Sequence, residues 1–329
     1  MKRLNEDLKK GQFSQIYLLY GEEAYLKKQY RDRLRKALLP EDDTINYSHF
    51  EGKGIDVKEV IDLAETMPFF AERRLMVFEN TGLFKSAAGA ELAEYMKQMP
   101  ETTYFVFVEE EVDKRGKMYK AVKAYGQEAE FPFQDENTLK RWIAVQVSRE
   151  QKKIRETDVL YFMDKVGTDM GYIARELEKV FCYTMDRDVI TREDLDAVCV
   201  TQFSNHIYDM VTAVTEKQQK KALEMYYELT AMKAETAMRI FGLLTRQYRY
   251  LFQIKQLVKK GYGRREIAEK TGLHPFAVGK YMEQSKKISL EELREIIEDS
   301  ADMEERIKTG LLSDRMAVEL FLIKYSQKR

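Results

Sequence analysis

Along the first 133 residues, short apolar runs alternate with amphipathic stretches. The runs are Gln15 to Tyr20 (QIYLLY), Ile45 to Phe50 (INYSHF), Leu75 to Phe78 (LMVF), Tyr104 to Val108 (YFVFV) and Glu130 to Phe133 (EFPF). They are rich in Tyr, Phe and Val, the residues that a pleated, buried strand favours. Between the second and third runs, Val57, Val60, Ile61, Leu63, Ala64 and Met67 recur at helical spacing on one face. Strand and helix alternating five times predict a parallel five-stranded sheet covered by helices. From about Asn137 the pattern is continuously helical, and no further strand is predicted. Thr191-Arg-Glu-Asp194 reads as a helix start, with a hydroxyl N-cap and acidic residues in the first turn. Long amphipathic stretches follow at Ala222 to Leu229, Met238 to Val258, Leu290 to Glu298 and Met316 to Tyr325. The fold class expected is α/β plus all-α in three domains: residues 1–136 with the sheet, 137–209 as a small helical domain, and 210–329 as a second helical domain.

Composition agrees with this picture and narrows it. Pro40, Pro68, Pro100 and Pro132 all fall in the strand-bearing part, and only Pro275 follows. The 55 basic and 56 acidic residues give a net charge of -1, which hides a separation. Residues 213–329 carry 23 basic and 17 acidic side chains, net +6, so residues 1–212 are net -7. Cys182, Cys199, His49, His206 and His274 are scattered, so no zinc or iron–sulfur framework is readable. The same scarcity supplies no Cys/His or Ser/His/Asp catalytic set, and two cysteines in 329 residues suit a reducing cytosol. The longest stretch without a charge is the 12 residues Ala197 to Tyr208. That is far short of the ~20 apolar residues of a membrane helix. Met1 to Gln15 lacks the apolar run of a secretory signal, so a cytoplasmic location is expected.

One segment sits where a nucleotide loop would begin. The first strand runs into Gly21-Glu-Glu-Ala-Tyr-Leu-Lys27-Lys28. On the template G-x-x-x-x-G-K-[ST], Leu26 replaces the second Gly, Lys27 matches the lysine, and Lys28 replaces the magnesium-binding hydroxyl. Small residues let backbone amides converge on a phosphate, whereas Glu22 and Glu23 put negative charge there. The loop is degenerate and is not expected to bind nucleotide, and no cofactor is implied. The third strand ends in Glu79-Asn80 instead of an acidic pair, so Glu79 reads as a solvated residue.

Two further segments admit two readings each. Met67-Pro-Phe-Phe70 places large apolar residues in a short link between a helix and a strand, where polar residues are usual. Either both rings cap the core, or they form an exposed wedge that enters a partner's pocket. Arg264 to Val278, with Ala268 and then Gly272 four residues on, has helix-turn-helix spacing and lies in the basic part of the chain. It fits either a DNA-reading unit using Arg264, Arg265 and Lys280 or ordinary helix packing.

Taken in order, several stretches resemble the delta subunit family of the bacterial DNA polymerase III clamp loader. They are Ile16 to Leu26, Met67 to Leu75, Ile190 to Leu195, Phe203 with Ile207 to Val211, Leu243 to Arg249, and Ile307 to Gly310. The resemblance implies an AAA+ type fold without ATPase activity: a RecA-like domain, a helical lid, and a C-terminal collar that joins a five-subunit ring. It implies a subunit of a DNA-directed DNA polymerase (nucleotidyltransferase) holoenzyme with no catalytic site of its own. Its partners would be the sliding clamp (beta subunit), the delta prime and gamma/tau subunits through the collar, and primer-template DNA within the complex, with no membrane. The family's wedge falls on Phe69 and Phe70, flanked by Met67 and Pro68. Phe69 stands where the family wedge usually begins with an aliphatic residue. The resemblance places the helix-turn-helix segment inside the collar. The alternatives from the residues themselves are an active AAA+ ATPase and a DNA-binding regulator.

Overall fold

In a computed structural model, which describes residues 2–200, 203–231 and 236–327, the chain divides by its internal contacts into two units, Met1–Gln134 and Asp135–Arg329. The first runs α1 (Lys2–Lys10), β1 (Ile16–Tyr20), α2 (Ala24–Leu38), β2 (Tyr47–Glu51), α3 (Val57–Ala64), β3 (Arg74–Glu79), a 3-10 turn at Leu83–Lys85, α4 (Ala88–Tyr95), β4 (Thr103–Glu109), α5 (Lys117–Tyr125) and β5 (Gln127–Glu130). The strands form one sheet in the order β2-β3-β4-β1-β5, every pair parallel. This is the helix-covered parallel five-stranded sheet that was expected.

The sheet's inner strands are buried on both faces. All five residues of β1 are buried, as are five of six in β3 and six of seven in β4. Alternation splits them. Ile16, Leu18, Tyr20, Met76, Phe78, Phe105 and Phe107 share a core with Val60 of α3, Leu92 of α4 and Val122 of α5. The intervening Tyr17, Leu19, Leu75, Val77, Val106 and Val108 are equally buried, with α2 packing against β1 and β4. Phe78 stacks on Phe107 at 4.8 Å between ring centroids and meets Phe105 edge-on at 5.2 Å. Such aromatic pairs add to simple area burial.

Two strand boundaries differ from expectation, each for a readable reason. The fifth strand is Gln127–Glu130, not Glu130 to Phe133: Pro132 has no amide to give a ladder. Phe131 is buried past the strand's end, its amide donating to the Tyr20 carbonyl at 2.7 Å and its carbonyl accepting from Glu23 N at 2.9 Å. The second strand starts at Tyr47 rather than Ile45, because the backbone amides of Ile45 and Asn46 are both taken by Asp43 Oδ1.

The second unit continues with α6 (Glu136–Arg149), β6 (Lys153–Ile154), α7 (Glu156–Val166), α8 (Met170–Tyr183), β7 (Val189–Ile190), α9 (Arg192–Val198), α10 (Phe203–Thr215), α11 (Gln219–Ala231), α12 (Ala237–Lys259), α13 (Arg264–Thr271), α14 (Pro275–Lys286), α15 (Leu290–Lys308) and α16 (Asp314–Ser326). Both stretches expected to be helical, 137–209 and 210–329, fall in this unit. Asp135 opens it by capping α6 through Thr138 N at 2.8 Å. The expected start at Thr191 is present, with the Asp194 carboxylate accepting from Thr191 N at 2.9 Å. The expectation of no further strand fails in one place. β6 and β7 pair in parallel over two residues each, too short a run to leave a period in the sequence. α12 lies among α10, α14, α15 and α16, burying Phe241, Leu244, Tyr248 and Leu251 against Phe321 and Leu322. Among the described residues no helix is long and apolar enough to cross a membrane.

Candidate functional site

In a parallel sheet, segments entering the strands gather at one edge and segments leaving them at the other. The link from α3 into β3 therefore lies at the opposite end of the sheet from the loop that leaves β1.

The α3–β3 link holds the most exposed aromatic side chain in this unit. Phe70 is 95% exposed, Phe69 57% and Met67 78%, while Pro68 is half-buried. The rings of Phe69 and Phe70 meet edge-on, 4.5 Å between centroids. They cap no core. Phe70 also has φ of 49°, in the left-handed region. That conformation costs an L-residue roughly 1–2 kcal/mol, so other contacts must hold it.

Two buried polar side chains hold the backbone that leads up to Phe70. Asn46, 1% exposed, accepts from Phe69 N at 2.7 Å and donates Nδ2 to the Phe69 carbonyl at 2.9 Å. Asp43 holds Asn46 in turn, accepting from its amide at 2.9 Å and from Nδ2 at 2.8 Å. The Asn46 hydrogen bonds hold the Asp43 carboxyl below the usual carboxylate range, with the Arg74 charge adding a smaller effect. Arg74, the first residue of β3 and 4% exposed, turns its guanidinium back to the carbonyls of Thr66 at 3.1 Å and Met67 at 3.4 Å. Buried polar groups need partners, and here the partners are the backbone of an exposed loop. Ile45, 61% exposed, adjoins this clamp in sequence.

Asp43, Ile45, Asn46 and Arg74 were not singled out by sequence reasoning. Asn46 sat inside a predicted strand, and Phe69 is 23 residues away. Only Asp43, a turn-forming residue just ahead of the run and three positions before Asn46, offered a local signal.

At the other end of the sheet the degenerate nucleotide loop is closed on itself. Gly21, φ 121°, packs so tightly that a Cβ there would lie 2.4 Å from the Phe131 carbonyl oxygen. Gly21 N donates to the Glu110 carbonyl at 3.2 Å. Lys27 is buried, and its Nζ donates to the Glu109 carbonyl at 2.9 Å. Burial lowers its pKa, opposed by the carboxylates of Glu110, Glu109, Glu79 and Glu22. Leu26 is buried and Lys28 is exposed, on the first turns of α2. Glu109 is buried as well, raised by that burial and held by Thr81 N at 2.9 Å and Thr81 Oγ1 at 2.7 Å. Glu79 is not the solvated residue expected. It accepts from Arg31 Nη1 and lies 3.3 Å from His49 Nε2. Among the described residues, no cluster of His, Cys, Asp or Glu is arranged to hold a metal.

The helix-turn-helix spacing does form two helices, α13 and α14, joined at Gly272 with φ 66°. Two of its three candidate DNA-reading cations are engaged internally. Arg264 Nε donates to the Pro275 carbonyl and its guanidinium lies against Gly279. Lys280 pairs with Asp164 and lies over the rings of Phe276 and Tyr208, at 5.0 and 5.7 Å.

A helix-covered five-stranded parallel sheet, a loop after β1 closed by its own chain and an exposed aromatic pair define an α/β protein whose open surface feature is an apolar loop. Residues 17–131 match the family model "DNA polymerase III, delta subunit", and residues 204–325 match "DNA polymerase III delta subunit, C-terminal domain". The chain belongs to the DNA polymerase III delta subunit family. It is 28% identical to DNA polymerase III subunit delta of Bacillus subtilis (strain 168), over 97% of this chain and 94% of that one. The solved structure of the Bacillus subtilis DNA clamp loader delta protein superposes with a TM-score of 0.80 at 28% identity, covering 99% of both chains.

Proposed function

We propose that this chain binds the sliding clamp of the replication machinery and opens it for loading onto primed DNA, through Phe69 and Phe70 with Met67 and Pro68 at their flanks. The observation that supports this reading is the exposed Phe69/Phe70 pair, held in a strained conformation by buried polar side chains. Folding alone gives no reason to hold two phenyl rings in water. Transferring both into a partner's pocket would contribute ~3–6 kcal/mol, enough to anchor an interface. Opening follows if the wedge fits the strained clamp better than the closed one, since a ligand shifts an equilibrium only by its differential affinity.

In this reading the chain is a subunit of the polymerase holoenzyme without catalysis of its own. ATP hydrolysis falls to sister subunits in this reading, and the engagement of Lys27 with the Glu109 carbonyl supports its absence from this chain. Residues 1–136 form the RecA-like domain, 137–209 the lid, and 210–329 the collar that meets delta prime and gamma/tau. The exposed Leu311, Met316 and Leu320 near the C-terminus offer apolar contact for that assembly. Primer-template DNA is met within the complex, in the cytoplasm. The internal bonds of Arg264 and Lys280 weigh against a free-standing DNA-reading role.

The test is a calorimetric titration of the cognate sliding clamp into wild type and the Phe69→Ala, Phe70→Ala double variant. Loss of binding with an unchanged melting curve is expected. Unchanged affinity would defeat the reading.

A further inference from the structure

We propose that Asn46 is a positioning residue of the wedge: its buried amide, braced by Asp43, holds the backbone of Phe69 so that Phe70 is presented in its left-handed conformation before any partner arrives. This rests on the reading of Phe69 and Phe70 as the clamp-binding pair.

The geometry makes Asn46 a rigid link between sheet and wedge. Its carbonyl accepts from Leu75 N at 2.8 Å, one step beyond the β2–β3 ladder that begins with Tyr47 opposite Leu75. Its backbone is thus fixed by the edge of the sheet. Its side chain reaches the other way and takes both hydrogen-bonding groups of Phe69, an amide-to-amide pairing of the kind strands make with one another. Asp43 occupies the Nδ2 proton that Phe69 does not, which fixes the side-chain amide orientation. Arg74 restrains the start of the same link at Thr66 and Met67. The link is therefore held at both sides of Pro68, and the freedom left to it is small.

The consequence is thermodynamic. A loop ordered in advance does not lose its conformational freedom on binding, so more of the ring burial appears as affinity. Without the Asn46 hydrogen bonds, Phe70 would relax from φ 49° to the ordinary region, and the two rings would reach the partner in many arrangements. Asn46 touches no partner in this account. It acts through Phe69.

The experiment places a single fluorophore on the wedge and measures binding in parallel. Trp142 is the chain's one tryptophan, so Trp142→Phe with Phe70→Trp puts the sole indole at position 70. Asn46→Ala keeps the backbone bonds of residue 46 and removes only the clamp. It is expected to speed the local depolarisation of the indole at position 70 and, in the otherwise native chain, to weaken binding of the cognate sliding clamp about tenfold. Native affinity and native depolarisation in Asn46→Ala would overturn the proposal. If Asn46→Ala melts too early to be measured, Asn46→Asp, which keeps the acceptor for Phe69 N and loses the Nδ2 donor, is expected to give the same two changes, and its native behaviour would overturn the proposal equally. Loss of binding in the Phe69→Ala, Phe70→Ala variant with native binding in Asn46→Ala would defeat this inference and leave the functional reading standing. Native binding in the phenylalanine variant would defeat both.

Discussion

Two loops of one sheet invert the usual placement of residue types. At the end of the sheet where β1 stops, the lysine of the nucleotide template is turned inward: Lys27 donates to the Glu109 carbonyl, and the Glu109 carboxylate is held by Thr81. At the opposite edge, where β3 begins, two phenylalanines stand in solvent while an asparagine and an arginine are buried beneath them. The first loop is charged residues made structural, and the second is apolar residues made available. The difference teaches that residue type locates a candidate site, whereas the direction of each side chain says what the site can still do. A lysine whose amine already has a carbonyl partner offers little to a phosphate. A phenyl ring that is 95% exposed and meets another exposed ring edge-on is available to a pocket.

The comparison breaks in order of expected effect. Phe69→Ala with Phe70→Ala should reduce clamp affinity by the ~3–6 kcal/mol of two lost side-chain burials, read by calorimetry, with the melting midpoint unmoved. Gly21→Ala should do the reverse. Its Cβ would meet the Phe131 carbonyl oxygen at 2.4 Å in a backbone conformation unsuited to alanine, costing about 2–4 kcal/mol of folding stability by denaturant titration, with clamp affinity retained in the folded fraction. Lys27→Ala should cost stability by about 1–3 kcal/mol, the range for an abandoned buried partner, and should leave the response to added ATP as it is in wild type. A lysine-dependent rise in melting temperature with ATP would instead restore the ATPase reading. Phe70→Gly gives the smallest and most telling change. Glycine accepts φ of 49° without strain, so the variant should be about 1 kcal/mol more stable to denaturant while binding the clamp more weakly.

Much of the fold was legible in the pattern. Four of the five strand-forming runs stand in the sheet, the inner three as continuous apolar segments because a parallel sheet buried on both faces demands them. The long helices of the second unit were legible for a similar reason, their apolar faces recurring over many turns. Legibility failed where pairing was short or non-local. The β6–β7 pair is two residues long. The fifth run placed its strand on Phe131 and Phe133 because aromatic content suggested it, while the registered pairs with β1 run from Gln127 to Glu130 and Pro132 ends the ladder. Ile45 and Asn46 read as strand because apolar and aromatic neighbours surround them.

The candidate site divides the same way. By itself the sequence determined that Met67, Pro68, Phe69 and Phe70 form an apolar link between helix and strand, and that Leu26 and Lys28 break the phosphate template. These are properties of neighbours along the chain. Only the tertiary structure decided that the rings face water, that Lys27 is occupied, that Glu79 is paired with Arg31, and that Asn46 and Arg74 lie under the wedge. The physical reason is distance along the chain: exposure and hydrogen-bond partnership depend on residues tens of positions away, brought together by the register of a parallel sheet.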